Sequence, residues 1–157
     1  MVLPGVCVVY LIRTGANGLE VLLGDKRVGL GRGRVLGIIG PLAHDEDPRE
    51  AAVREAREQV GVGVAASDLH EAGTVEYHFP TRTAWSRHAT VLVCRRWSGE
   101  PVETAALTPR WYPLAGLPYT RMWGDAPRWL PAVLRGGRVD ARYTFGPDLA
   151  TVVLEVG

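Results

Sequence analysis

One segment of this chain constrains the fold more than any other, because both ends of a helix are written into it. Asp47-Pro48 places a capping aspartate before a proline at the first helical position, and Glu50 stands at the third. The run continues to Val60 and stops at Gly61. Ala52, Ala56 and Val60, joined by Val53, form a single apolar stripe that must face a core. The other side is charged. Glu55, Glu58 and Gln59 follow one another at i, i+3 and i+4 and so share one face of the helix.

Strands surround this helix in the sequence. Residues 6–12 and 19–23 read as a strand pair joined at Asn17-Gly18, a dipeptide suited to positive φ. Residues 24–43 read as a glycine-punctuated loop with a short apolar insert at 35–39. Residues 73–79 and 89–97 read as strands, and Trp111-Tyr112 starts another short element confined by prolines. A second helix is expected from Asp125-Ala-Pro127 to Gly136-Gly137, and a late strand at 150–156. The expected architecture is α+β, an α/β/α sandwich with a central mixed sheet, in a single domain over residues 1–157.

Composition excludes several function classes. The 157 residues are 46% hydrophobic with a formal net charge of +1, which argues against disorder and against a broad nucleic-acid surface. No apolar run is long enough to span a membrane, and the opening lacks a basic leader, so a cytoplasmic protein without membrane attachment is expected. Cys7 and Cys94 each lie in an alternating apolar run and read as buried thiols, with a disulfide or metal pair as the alternative. Of 18 basic residues only Lys26 is a lysine, and Lys26, Arg27, Arg32 and Arg34 cluster among glycines. That cluster suits a small phosphorylated ligand, or it is a solvated loop. The four histidines show no metal-ligand spacing, and His44 in the acidic loop 44–47 reads as solvated.

Carboxylates gathered on one helix face repel one another and suit a hard cation. Mg²⁺ fits because it takes carboxylates together with phosphate oxygens and water, and Mn²⁺ is the natural substitute. Such an ion can polarise a phosphoryl group while a carboxylate positions water. Arg54 can meet Glu50 and Glu58 one turn away. The alternative is an ordinary salt-bridged helix face.

The stretch GPLAHDEDPREAAVREAREQVGV, residues 40–62, resembles the Nudix box: Gly40, Glu46, Arg54, Glu55, Glu58, Gly61 and Val62 stand at its positions. The chain is therefore identified as a member of the Nudix family, and the resemblance implies the Nudix fold. Residues 19–62 and 91–135 look like the subgroup that hydrolyses oxidised purine nucleoside triphosphates, through VLLGDK at 21–26, GEPVE at 99–103 and MWGDAPRWLP at 122–131. The resemblance implies Glu46, Glu55 and Glu58 as catalytic residues and Glu55, Glu58 and Gly40 at the metal. It also implies Lys26 and Arg27 at the phosphates. Trp123, Tyr77, Phe79, Asp125 and Leu36 would form the base pocket. On the residues alone, Trp123 serves equally as core and Asp125 as a helix cap.

This chain departs from the family pattern at several points. Gln59 replaces a glutamate that is normally a metal ligand, and its amide offers one carbonyl oxygen and an NH₂. Pro41 stands where a basic residue is usual, and the later loop acid is missing at Thr104-Ala105-Ala106. One aspartate, Asp125 before Ala126, replaces an adjacent pair, and Leu36 replaces a loop asparagine. Two functional readings follow. One is a Mg²⁺-dependent pyrophosphohydrolase of a nucleoside triphosphate or another nucleoside-diphosphate-linked compound, weakened by Gln59, Pro41 and Ala106. The other is an impaired or repurposed Nudix-fold module that binds a nucleotide or phosphorylated metabolite. On the first reading, Gln59→Glu is expected to strengthen Mg²⁺ binding.

Overall fold

The computed structural model describes residues 2–29 and 31–157, so Leu30 of the glycine loop lies outside the described residues. The first strand, β1 (Gly5–Gly15), is buried on both faces. Cys7, Val9 and Leu11 face one apolar cluster, while Val6, Val8, Tyr10 and Ile12 face another. Alternation along a strand sends successive side chains to opposite faces, so an unbroken apolar run requires a covering layer on each. The helix α1 (Pro48–Val60) supplies one layer through Ala51, Ala52, Ala56 and Val60. The helix α2 (Ala126–Leu134) supplies the other through Trp129, Leu130, Val133 and Leu134.

The remaining strands are β2 (Gly18–Lys26), β3 (Val35–Leu36), β4 (Ile38–Pro41), β5 (Leu69–His78), β6 (Arg87–Cys94), β7 (Leu107–Pro113), β8 (Val139–Phe145) and β9 (Val152–Val156). They form a mixed sheet in the order β3-β2-β1-β6-β5-β8-β9, with β4 also on β1 and β7 also on β2. The β1–β6 and β5–β8 pairs are parallel. The sheet forks at β1: Val6–Val9 pair with β4, whereas Ile12–Gly15 pair with β2. The fork leaves the end of β2 opposite β4 and α1, where Lys26 meets the helix.

The capping of α1 follows its sequence. Glu50 N–H donates to Asp47 Oδ1 at 2.9 Å and Asp47 N–H donates to Glu50 Oε1 at 3.1 Å. Such a cap stabilises the helix by about 1 kcal/mol. Gly61 ends the helix in the left-handed region.

Several boundaries differ from expectation. The segment 24–43 holds the end of β2 and the whole of β3 and β4, because β7 pairs with the end of β2 and the short apolar insert pairs with β2 and β1. The strand expected at 89–97 ends at Cys94, and the element at Trp111 extends back to Leu107. The strand β8 has no counterpart among the expected elements, although Val139, Ala141, Tyr143 and Phe145 alternate with polar residues in strand fashion. Both cysteines are free and buried. No helix among the described residues is long and apolar enough to cross a membrane.

The approach of β8 to β5 depends on Gly73. It follows a register shift after Glu71 and holds φ +114°, and a Cβ there would lie 1.8 Å from the carbonyl oxygen of Val139. Gly73→Ala must break either the bulge or the β5–β8 pairing. The expected loss is about 2–4 kcal/mol, read as a lower urea midpoint. A midpoint within experimental error of the parent would contradict this account of the register.

Candidate functional site

The charged face of α1 borders a cleft of about 350 Å³ whose walls include Lys26, Glu55, Glu58, Gln59, Arg87 and Ala106. Gly40 makes the cleft possible by having no side chain: a Cβ there would fall 2.3 Å from the Glu55 carboxyl carbon. Glu55 is consequently only 6% exposed although it is charged. Arg54 Nη1 donates to Glu55 Oε1 at 2.5 Å, and Gln59 Nε2 donates to Glu55 Oε2 at 2.7 Å. A carboxylate has about four acceptor positions, so two remain.

Arg54 is the hub of the outer half. It donates to Glu46 through Nε at 3.0 Å and Nη2 at 2.8 Å, and to the Pro41 carbonyl at 2.9 Å. It also reaches Glu58 Oε2 at 3.4 Å. The expected Arg54–Glu50 contact is replaced, because Glu50 is occupied by the helix cap. These bonds, with the Ala43 N–H donating to Oε1, hold the Glu46 carboxyl down to about 2. Both Glu46 oxygens are thus engaged in tying the loop to the helix. Glu58, 60% exposed, is the carboxylate most open to a ligand.

The inner half is closed by a second network. Gln59 is 3% exposed; its Nε2 donates to the Ile39 carbonyl at 2.8 Å as well as to Glu55. Its Oε1 accepts from Lys26 Nζ at 3.1 Å, and Lys26 Nζ also donates to the Ile39 carbonyl at 3.0 Å. Two acceptors on one side and an ammonium on the other fix which way the amide points. Burial lowers the Lys26 ammonium below its usual range, opposed by the nearby Glu55 carboxylate. Burial also pushes the Cys7 thiol up to about 12, with Glu55 adding to the effect, so the thiol beside Gly40 stays protonated.

These contacts decide what a divalent ion could use. The Ile39 carbonyl already accepts two donors, both Gln59 amide hydrogens are spent and Gln59 Oε1 holds the Lys26 ammonium, so the inner side keeps a single neutral acceptor position beside a positive charge. Glu58, with the spare positions of Glu55, is the acceptor set that remains. Among the described residues no three His, Cys, Asp or Glu side chains converge as a metal cage. An ion at Glu58 and Glu55 would complete its shell with water and phosphate oxygens, as Mg²⁺ commonly does. Gly40 contributes space for the Glu55 carboxyl, and the Ile39 carbonyl beside it is turned inward.

The other expected site residues are dispersed. Arg27 turns to Thr104 and Glu103, with Nη1 at 3.3 and 3.4 Å from their oxygens, away from the cleft. Ala106 lines the cleft and Pro41 stands at its edge, so neither supplies a charge there. His44 is 96% exposed and touches only Asp45 among charged groups. Arg87 also forms part of the cleft wall. Only β6 pairing beside β1 brings it there.

Leu36, Tyr77, Phe79, Trp123 and Asp125 do come together, but as packed interior. Trp123 lies 5.7 Å from Tyr77 and 5.9 Å from Phe79, centroid to centroid. Asp125, 2% exposed, accepts from Trp129 Nε1 at 2.7 Å and from the Tyr77 hydroxyl. It stands at the cap position of α2 without capping it, because Trp129 and Tyr77 take its oxygens. The reachable side of Trp123 borders a smaller cavity of about 240 Å³ shared with Arg32, Arg34 and Trp85.

The NUDIX domain pattern matches residues 2–133 of this chain. An oxidized purine nucleoside triphosphate hydrolase of Danio rerio is 30% identical over 126 residues, covering 80% of this chain and 79% of that protein. A MutT protein of Bacillus halodurans superposes with a TM-score of 0.78 at 16% identity, covering 98% and 97% of the two chains. The NUDIX domain of Shewanella oneidensis NrtR, solved with ADP ribose, superposes at 0.59 with 17% identity over 73% and 75%.

Burial pushes the Asp125 carboxyl up from its ordinary 3.8 to about 6, against the Trp129 and Tyr77 hydrogen bonds. A raised folded value makes this group's contribution complete below about pH 4 and progressively lost as pH rises through 6. The loss is on the order of 3 kcal/mol. Asp125→Asn keeps an acceptor for Trp129 and removes the titration. The stability of the parent relative to this variant should therefore fall between pH 4 and 7 in urea melts. A difference that stays flat over that range would refute the assignment.

Proposed function

Because the chain belongs to the NUDIX family, we propose that it is, as one domain, a phosphoanhydride hydrolase. Its substrate would be a nucleoside triphosphate or another nucleoside-diphosphate-linked compound. The supporting observation is the buried Glu55 beside the open Glu58, on the wall of a cleft that also carries Lys26 and Arg87. In the simplest case water adds to a phosphorus atom, one P–O–P bond breaks, and a nucleoside monophosphate and pyrophosphate leave. A divalent ion, Mg²⁺ or Mn²⁺, held at Glu58 and Glu55, would supply the polarisation of the phosphoryl oxygen. The chain itself orients the substrate. Lys26 and Arg87 offer positive charge to the phosphates, and Arg54 clamps Glu55 and Glu46 so that the helix face and the loop hold one geometry.

The curated relative acts on oxidized purine nucleoside triphosphates, and that substrate class is the natural first panel. The base end supports weak selection within it. Asp125 is committed to Trp129 and Tyr77, and Leu36 offers no hydrogen bond. A site without polar readout discriminates weakly between bases that differ by polar groups.

A second reading, a nucleotide-binding module with little turnover, is favoured by the donors that fill the Gln59 side of the cleft. A panel of nucleoside triphosphates, nucleotide sugars and dinucleoside polyphosphates with Mg²⁺ or Mn²⁺ separates the two. Release of pyrophosphate or phosphate is expected on the first reading, and binding by calorimetry without release on the second. Given turnover, Glu58→Gln should lower kcat/KM by at least about tenfold, whereas His44→Ala should stay within about threefold. The reverse order would overturn the assignment of the helix face. The preference for 8-oxo-dGTP over dGTP should be less than about tenfold, or 1.4 kcal/mol in transition-state binding. A hundredfold preference would show that another group reads the base.

A further inference from the structure

The side chains at the inner end of the cleft form a closed hydrogen-bond circuit that contains a positive charge. Lys26 Nζ lies 3.0 Å from the Ile39 carbonyl and 3.1 Å from Gln59 Oε1, and Gln59 Nε2 joins the same carbonyl to Glu55. Lys26 is 8% exposed yet lines the cleft. Its ammonium has three N–H donors, of which these contacts use two. Every polar atom in the circuit thus has a partner, with one N–H left for a ligand. A divalent ion at this end would find the Ile39 carbonyl already accepting twice and only the neutral second lone pair of Gln59 Oε1, and it would sit against a resident positive charge.

We propose that Lys26 is the built-in cation of the cleft, occupying its Gln59 end in place of a divalent ion. The protein then takes at most one divalent ion, on the Glu58 side, and the third Lys26 N–H meets a phosphate oxygen. Only this last contact rests on the phosphoanhydride reading; the count of ions does not. The pair Lys26 and Gln59 acts as a unit: a carboxylate at position 59 meets an ammonium before it meets a metal. Gln59→Glu alone, which the sequence suggests as a repair of the metal site, should therefore restore nothing.

The test is a Mn²⁺ titration of the full chain followed by electron paramagnetic resonance. It compares the parent with K26M, Q59E and K26M/Q59E, with K26Q as a second lysine variant that keeps a polar partner for Gln59. Melting curves identify any variant that fails to fold. The parent and Q59E should each bind at most one Mn²⁺, with affinities within threefold of each other. K26M/Q59E should gain a second ion or bind at least tenfold more tightly. Two ions on the parent, or a gain from Q59E alone equal to that of the double variant, would overturn the proposal. Inorganic pyrophosphate titrated in EDTA tests the free N–H: the parent should bind and K26M or K26Q should bind at least tenfold more weakly. Equal pyrophosphate binding by both lysine variants and the parent would remove Lys26 from the phosphate site. If the ion counts follow the expected pattern while no protein releases pyrophosphate from nucleotides, the hydrolase reading falls and the resident cation stands.

Discussion

The Arg54 guanidinium is the contact on which the rest of this site depends. It joins Glu46 of the loop, Glu55 and Glu58 of α1, and the carbonyl of Pro41 at the end of β4. Through Glu55 the same chain of bonds passes to Gln59, Lys26 and Ile39. A helix face that buries a carboxylate and an amide against a sheet is stable only if those groups are paired, since each unpaired buried polar group costs about 1–3 kcal/mol. Here none of the buried side-chain polar atoms among the described residues lacks a partner. The docking of α1 on β4, the absent Cβ at Gly40 and the course of the loop before the helix all serve that pairing.

The same completeness limits the chemistry. A polar group engaged by the protein must exchange that bond before it can engage a ligand, so satisfied groups are positioning groups and open ones are candidates for contact. By this criterion Glu46 and Gln59 position, while Glu58, the free acceptor sites of Glu55 and one Lys26 N–H remain for contact. The base end follows the same logic. Asp125 has a tryptophan and a tyrosine as donors, and the aromatic rings around it pack against one another. At both ends of the site, residue types that suggest ligand contact are turned toward the protein.

Exposed clusters elsewhere show the contrast. Glu76 accepts from His78 at 2.9 Å and from Arg142 at 3.2 Å on the open face of β5 and β8. Partly solvated pairs of this kind contribute little to stability and form and break easily. The α1 network is different because Glu55 and Gln59 have no water to fall back on.

Much of the fold is legible in the sequence because its signals are local or periodic. The capping box and Gly61 bound α1 within single residues, and the double-sided apolar run of β1 demands a layer on each face. The spacing of Glu55, Glu58 and Gln59 places them together for the same reason: helical periodicity is a property of the chain alone. What it cannot specify is which partner each side chain takes across the fold. Lys26 and Gln59 are 33 residues apart, and only the fork of the sheet at β1 brings the end of β2 against α1. Likewise Arg27, the immediate neighbour of Lys26, points to Glu103 because adjacent residues of an extended chain face opposite ways. Sequence by itself determined α1 with its caps, the strands with a local apolar pattern and the acidic helix face, all set by short-range geometry. Only the tertiary structure decided that a lysine fills the place beside Gln59 and that Asp125 is spent on the core, because burial and hydrogen-bond saturation arise from contacts between distant segments.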